Sequence, residues 1–240
     1  ISYYSNAKSS RLPDENQDIC LASSELLRPH ERSVLAVADG VSNSSNPRSA
    51  AEGAISSVNQ WFLTNTSHNL KDLIVEAQSR VSQIESIASD PHPPATTLVV
   101  AEITTSRVRI ISVGDSRAYS LHNGHLKQIT TDDTVAEDLV QQGLLSREES
   151  TNHPMGNALT KAISSRFDLS SGIEVHEFQP SNGQVLILCS DGIYAGLNSE
   201  DFKQLVSKMP EKDGARYLVQ AAIDRQVNDD ITAVVAIFRK

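Results

Sequence analysis

Basic residues are scarce in this chain: 21 Lys and Arg stand against 30 Asp and Glu, a formal charge of -9 over 240 residues. No stretch gathers Lys or Arg into a cluster, which excludes a broad nucleic-acid or anionic-membrane surface, so a polyanionic substrate has to be met locally. Cysteine is nearly absent. Of the two present, Cys189 lies inside an apolar run, which reads as a buried free thiol in a reducing compartment rather than half of a disulfide with Cys20. No apolar run approaches the length needed to cross a bilayer, and Ile1-Ser2-Tyr3-Tyr4 lacks the charged and apolar regions of a signal peptide. The missing initiator Met points to trimming or to a longer parent polypeptide. The expectation is a cytoplasmic, monomeric protein of one domain, 1–240, large enough to bury one sizeable core.

What the sequence does have is aspartate in a telling position. Asn16-Gln17-Asp18, Ala38-Asp39-Gly40, Ser190-Asp191-Gly192 and Asp229-Asp230-Ile231-Thr232 each place a carboxylate where a strand is expected to end. The adjoining runs Val34-Leu35-Ala36-Val37 and Val185-Leu186-Ile187-Leu188 read as buried strands. Carboxylates at converging strand ends repel one another unless a positive charge sits between them. Hard divalent cations, which prefer oxygen ligands, answer that need. An Asp-Gly pair alone is ordinarily a turn, and the apolar strand beside each one is what favours the metal reading.

The remaining pattern is a layered α+β domain with antiparallel sheets. Ala50, Ala51, Ala54, Ile55, Val58, Trp61 and Phe62 recur at three and four after Pro47, which predicts an amphipathic helix. A second helix is expected over 70–88, and further ones over 199–208 and 214–225. Strands are expected over 96–104, 108–121, 125–129, 174–178, 184–189 and 231–238, with Asn123-Gly124 as a hairpin turn. The stretch 134–163 reads as helical and loop-rich, with Gly143 as a stop. No histidine shows zinc-site spacing, and His122, His125 and His153 read as surface or loop residues.

Two metal ions about 3.5–4 Å apart acidify a bridging water to hydroxide and clamp phosphoryl oxygens for in-line displacement. Such chemistry also calls for a guanidinium to orient the phosphate, and Arg11 lies near Asp18 in sequence.

At this point a family resemblance enters. Asn16-Gln17-Asp18, Val37-Ala38-Asp39-Gly40-Val41, Ala95-Thr96-Thr97-Leu98-Val99-Val100, Val113-Gly114-Asp115-Ser116-Arg117-Ala118-Tyr119, Asn157-Ala158-Leu159-Thr160-Lys161-Ala162, Leu188-Cys189-Ser190-Asp191-Gly192 and Asp229-Asp230-Ile231-Thr232 resemble, in order, the motifs of the metal-dependent Ser/Thr protein phosphatases of type 2C in their bacterial form. The resemblance implies an antiparallel β-sandwich flanked by helices on both sides, four layers α-β-β-α. It implies two Mn²⁺ or Mg²⁺ ions: Asp39, Asp191 and Asp229 at one, and Asp18, Asp39 and the Gly40 carbonyl at the other. Asp115, with Asp191, matches the position of a third, weaker metal; its plain alternative is a hairpin-end aspartate held by backbone donors. Arg11 matches the phosphate-binding arginine, Thr96-Thr97 is expected to pack in the core, and 131–165 matches a variable flap.

The implied activity is hydrolysis of phosphoserine and phosphothreonine on proteins by direct attack of a metal-bridged hydroxide, opposing a Ser/Thr kinase. The alternative is a pseudo-phosphatase that binds a phosphoprotein without turnover; a structural Ca²⁺ domain lacks the closely spaced ligands of an EF-hand. This chain also departs from the family. Arg11 lies seven residues before Asp18, farther than usual, with Pro13-Asp14 between. Val41-Ser42-Asn43-Ser44-Ser45-Asn46 replaces a segment that often carries a histidine, so metal-bound water is the expected proton donor. Asp229-Asp230 stands where the family usually has Asp-Asn.

Overall fold

The computed structural model describes residues 1–7, 15–25, 32–64, 69–84, 92–151, 153–195 and 197–239. Two antiparallel sheets of five strands face each other. The strands are β1 (Ser2–Asn6), β2 (Asp18–Glu25), β3 (Arg32–Asp39), β4 (Leu98–Thr104), β5 (Val108–Val113), β6 (Arg117–His122), β7 (His125–Gln128), β8 (Val175–Phe178), β9 (Val185–Cys189) and β10 (Ile231–Ile237). One sheet runs β1-β10-β9-β6-β7 and the other β2-β3-β4-β5-β8.

Helices cover both outer faces. The helices are α1 (Pro47–Thr64), α2 (Leu70–Ser82), α3 (Val135–Gln141), α4 (Arg147–Thr151), α5 (Asp191–Tyr194), α6 (Ser199–Ser207) and α7 (Gly214–Asp224); α1 and α2 pack on one sheet, and α5, α6 and α7 on the other. The α+β, four-layer expectation is met, and strand alternation explains how. In β3, Val34, Ala36 and Ala38 face α1 and α2, whereas Leu35 and Val37 face the other sheet. In β9, Ile187 and Cys189 face α6 and α7 while Leu186 and Leu188 join the layer between the sheets. A strand buried on both faces reads as a continuous apolar run, although its side chains serve two different cores.

Three expectations are corrected. The stretch 108–121 is not one strand but β5 and β6, which belong to different sheets. Gly114 makes the break with φ +99°, and a Cβ there would stand 2.8 Å from Thr97 Cγ2. The second helix ends at Ser82, with Gln83 capping through its N–H to Arg80 and Val81 carbonyls; residues 85–88 lie outside the described residues. Finally, Asp18 opens β2 and Asp229 precedes β10, so only Asp39 and Asp191 lie at strand exits. Antiparallel pairing brings starts and exits to the same edge, which restores the convergence. The Asn123-Gly124 hairpin is as expected, both residues at positive φ (51° and 75°) between β6 and β7.

Candidate metal centre

Antiparallel register sets the first pair: Asp18 and Asp39 are directly opposite on β2 and β3. In the facing sheet, Ser190 follows β9 and is locked to β10, its N–H donating to the Thr232 carbonyl (3.1 Å) and its Oγ accepting from Thr232 N (3.0 Å). That lock places Asp191 at the start of α5 and Asp229 just before β10. Asp115 sits in the turn where the chain crosses from β5 in one sheet to β6 in the other. All five carboxylates therefore meet at one end of the sandwich, and Asp39 feels Asp18, Asp191, Asp115 and Asp229 together.

The charge is poorly compensated. Burial pushes the Asp18 carboxyl up to about 7, against hydroxyl hydrogen bonds from Ser190 and Thr232, with Asp230 and Asp191 raising it further. Burial, then Asp229, raises Asp191 to about 6. Asp39 and Asp115 are also pushed well above the usual carboxylate range, first by burial and then by neighbouring carboxylates. Among the described residues no three His, Cys, Asp or Glu side chains already surround a cation-sized point.

The donor set nevertheless fits a divalent cation. Asp18 Oδ1 and Asp191 Oδ1 are both buried with no hydrogen-bond partner, an expensive arrangement unless each faces a ligand. Oxygen-only donors suit Mn²⁺ or Mg²⁺. Gly40 is buried at the same edge, its N–H donating to the Gln17 carbonyl at 3.1 Å. Of the expected residues, the structure brings together Asp18, Asp39, Gly40, Asp115, Asp191 and Asp229. Arg11, like Pro13 and Asp14, lies outside the described residues.

Several supporting residues were not foreseen. Asp230 is 2% exposed. Its Oδ2 accepts from Gln17 N at 3.0 Å, so it holds the turn that leads into Asp18. Asn16 Oδ1 accepts from Asp18 N (2.9 Å) while Asn16 Nδ2 donates to Ser5 Oγ (2.7 Å), and Ser190 Oγ donates to Asp18 Oδ2 (2.7 Å). Thr97 Oγ1 accepts from Asp39 N (3.1 Å), and Thr96 Oγ1 donates to the Asp39 carbonyl (2.9 Å); both threonines are buried, as expected. Doubling of the aspartate at 229–230 was the one sequence signal for Asp230. Asn16 acts locally, inside the Asn16-Gln17-Asp18 motif, whereas Ser190, Thr96 and Thr97 act over separations that no local pattern reveals.

Around Asp115, Tyr194 donates its hydroxyl to the Asp115 carbonyl (2.7 Å), and the Arg117 guanidinium stacks 3.5 Å from the Tyr194 ring centroid. Arg117 is itself paired with both oxygens of Asp132. Asp133 clamps the same turn: its Oδ2 accepts from Gly114 N (3.0 Å), and Lys161 Nζ reaches its Oδ1 (2.7 Å). The segment after Gly40 holds no histidine, but Ser45 N donates to the His92 carbonyl (2.9 Å), which brings His92 beside it.

A protein phosphatase 2C family model matches residues 13–228. Serine/threonine phosphatase Stp of Listeria monocytogenes is 29% identical over 179 residues, 74% of this chain and 67% of that protein. PstP of Mycobacterium tuberculosis is 30% identical over 148 residues, 59% of this chain but only 27% of its own length. The structure of Stp1 from Staphylococcus aureus covers 100% of the chain, and is covered to 94%, with TM-score 0.86 at 22% identity. The PstP catalytic domain, solved with two manganese ions, gives TM-score 0.79 at 23% identity, covering 100% of this chain and 97% of that one. These likenesses in fold agree with the four-layer architecture, and the family match spans most of the chain. The chain belongs to the protein phosphatase 2C family of metal-dependent Ser/Thr protein phosphatases, in its bacterial form.

Proposed function

We propose that this protein hydrolyses phosphoserine and phosphothreonine on protein substrates, opposing a Ser/Thr kinase. The observation that carries the reading is the pair of buried, unpartnered oxygens, Asp18 Oδ1 and Asp191 Oδ1, within a ring of five carboxylates. Asp39, Asp191 and Asp229 would hold one divalent ion, and Asp18, Asp39 and the Gly40 carbonyl the second, with Asp39 between them. Asp115 would contribute to a third, weaker site. Bound there, the ions supply Lewis acidity and a water acidified for direct attack on phosphorus, with no covalent enzyme intermediate.

The chain's own residues set the geometry of that attack. Ser190 fixes the rotamer of Asp18, and the Thr96 and Thr97 hydroxyls fix the backbone on either side of the Asp39 Cα. Arg11 is assigned to orient the phosphate by bidentate hydrogen bonds. The flap, 131–165, is assigned to substrate recognition. It is anchored at its base by Lys161 to Asp133 and by the paired backbone of Thr96 and Ile163 (3.2 and 2.8 Å). No helix among the described residues is long and apolar enough to cross a membrane. We assign a monomer acting in the cytoplasm as one domain.

The test is turnover of a phosphoserine or phosphothreonine peptide with Mn²⁺, with EDTA, and with Mn²⁺ restored. Hydrolysis that follows the metal supports the reading. Tight peptide binding without hydrolysis at saturating Mn²⁺ overturns it in favour of a regulatory module.

A further inference from the structure

We propose that Arg48 is a second phosphate-gripping residue, which contacts the substrate phosphoryl oxygens from the Asp18 and Gly40 side of the centre. The inference rests on the phosphatase reading above. Arg48 is the second residue of α1, and the start of that helix touches the centre: a Cβ on Gly40 would stand 2.4 Å from the Pro47 carbonyl oxygen. The strand end that carries Asp39 and the turn that carries Arg48 are thus in van der Waals contact.

The guanidinium is already fixed at two points. Its Nη1 donates to the Asn16 carbonyl at 2.6 Å, and its Nε donates to Glu52 Oε1 at 2.9 Å. Asn16 lies in the turn that leads into Asp18, so the fork is tied to the backbone two residues from one of the carboxylates assigned to metal. Those bonds occupy two of the five N–H donors of a guanidinium, and among the described residues the other three meet no further acceptor. The side chain is 39% exposed, so a substrate can reach it. An arginine whose rotamer is already anchored gives up little further entropy when it captures an anion.

Other described cations near the centre are differently engaged. Arg117 is bound by both oxygens of Asp132 and stacked on Tyr194, and Lys161 is held between Asp133 and the Gly172 carbonyl. Arg225 donates to the Ile193 carbonyl at 3.0 Å, on the α5 side of the centre. A dianionic phosphoryl group entering a ring of carboxylates needs cationic donors at the rim, and Arg48 has three to offer.

The experiment compares the Mn²⁺-loaded parent with Arg48→Ala and Arg48→Lys, measuring inorganic-phosphate affinity by calorimetry, KM and kcat for a phosphopeptide, and the Mn²⁺ midpoint. Loss of one charge-assisted contact is expected to weaken phosphate binding in Arg48→Ala by about tenfold or more and to raise KM, with the Mn²⁺ midpoint unchanged. Arg48→Lys, which keeps the charge but loses the planar fork, is expected to fall between. Unchanged phosphate affinity in Arg48→Ala overturns the proposal. So does a shift in the Mn²⁺ midpoint that by itself accounts for the weaker phosphate binding, since Arg48 would then act only as a prop for the Asn16 turn. Phosphate binding is read without turnover, so an inactive parent protein would sink the phosphatase reading while leaving this measurement interpretable.

Discussion

Glu102 on β4 and Asp18 on β2 lie in the same sheet, at opposite ends of strands that flank β3, and both are almost completely buried, 2% and 3% exposed. Their surroundings differ. Glu102 meets Arg109, whose Nε donates to its Oε2 at 2.7 Å, and Arg32, whose Nε lies 3.7 Å from its Oε1. Arg32 in turn stacks over Phe62 at 4.7 Å and donates to the Phe62 carbonyl at 2.8 Å. Asp18 meets a hydroxyl, a second hydroxyl and more carboxylates, and one of its oxygens has no partner. The first end of the sheet carries its counter-ions in its own sequence. The second end has none in its own sequence and is the one assigned above to metal ions, which is the difference between a charge that holds a fold together and a charge left open to recruit a catalyst.

The comparison is broken most severely at the metal end. Asp39→Asn is expected to reduce Mn²⁺-dependent phosphopeptide hydrolysis by at least about 10³-fold, since it removes the carboxylate assigned to both ions, while circular dichroism shows the fold retained. At the other end, Glu102→Ala removes the buried carboxylate that two largely buried guanidinium groups share. The expected cost is about 3–5 kcal/mol, a fall in Tm of roughly 10 °C, equal with and without Mn²⁺ in thermal denaturation.

A pH series sharpens the contrast. Burial, reinforced by neighbouring carboxylates, pushes Asp18 up to about 7 and Asp191 up to about 6, above their ordinary 3.8. The native state then binds more protons than the unfolded chain between roughly pH 4 and 7, so metal-free protein is expected to lose stability as pH rises through that window. Because Mn²⁺ competes with those protons, the rise in Tm on adding Mn²⁺ should be small near pH 5 and several degrees larger near pH 8. Equal Mn²⁺ shifts at both values would contradict the carboxylate assignment. The smallest effect is expected from Asp230→Asn, whose amide oxygen can still accept from Gln17 N. Removal of one charge beside Asp18 should raise the metal-free Tm by a degree or two and weaken Mn²⁺ affinity a few-fold by calorimetry.

The sequence revealed those features that depend on neighbours along the chain. The apolar period of α1 and the hairpin at Asn123-Gly124 are local, and the structure places both as read; of the strand-end aspartates it places Asp39 and Asp191 at exits, and Asp18 and Asp229 at strand starts. The misreading of 108–121 has a physical cause. Val108–Val113 and Arg117–Leu121 both read as strand, and the break is the Gly114-Asp115-Ser116 turn between them; the structure adds that a Cβ at Gly114 would stand 2.8 Å from Thr97 Cγ2, so the turning residue has to be glycine. Asp230 was opaque for a related reason: its partner, Gln17 N, is 213 residues away. Carboxylates could be recognised by type, whereas the hydroxyls and amides that orient them look like any other serine, threonine or asparagine until the sheets are assembled.

The place of β10 has a consequence for how the protein comes to be active. Asp229 stands at its head, and the strand lies between β1, from the start of the described chain, and β9. During synthesis, β1 and the Asp18 turn emerge early and wait for a partner that is made some 200 residues later. Until β10 inserts, Ser190 lacks Thr232, the turn at Gln17 lacks Asp230, and the carboxylate ring is open. A chain that lacks β10 lacks Asp229 and the supports of Ser190 and of the Gln17 turn, so the set of carboxylates assigned to metal is completed only when β10 pairs with β9.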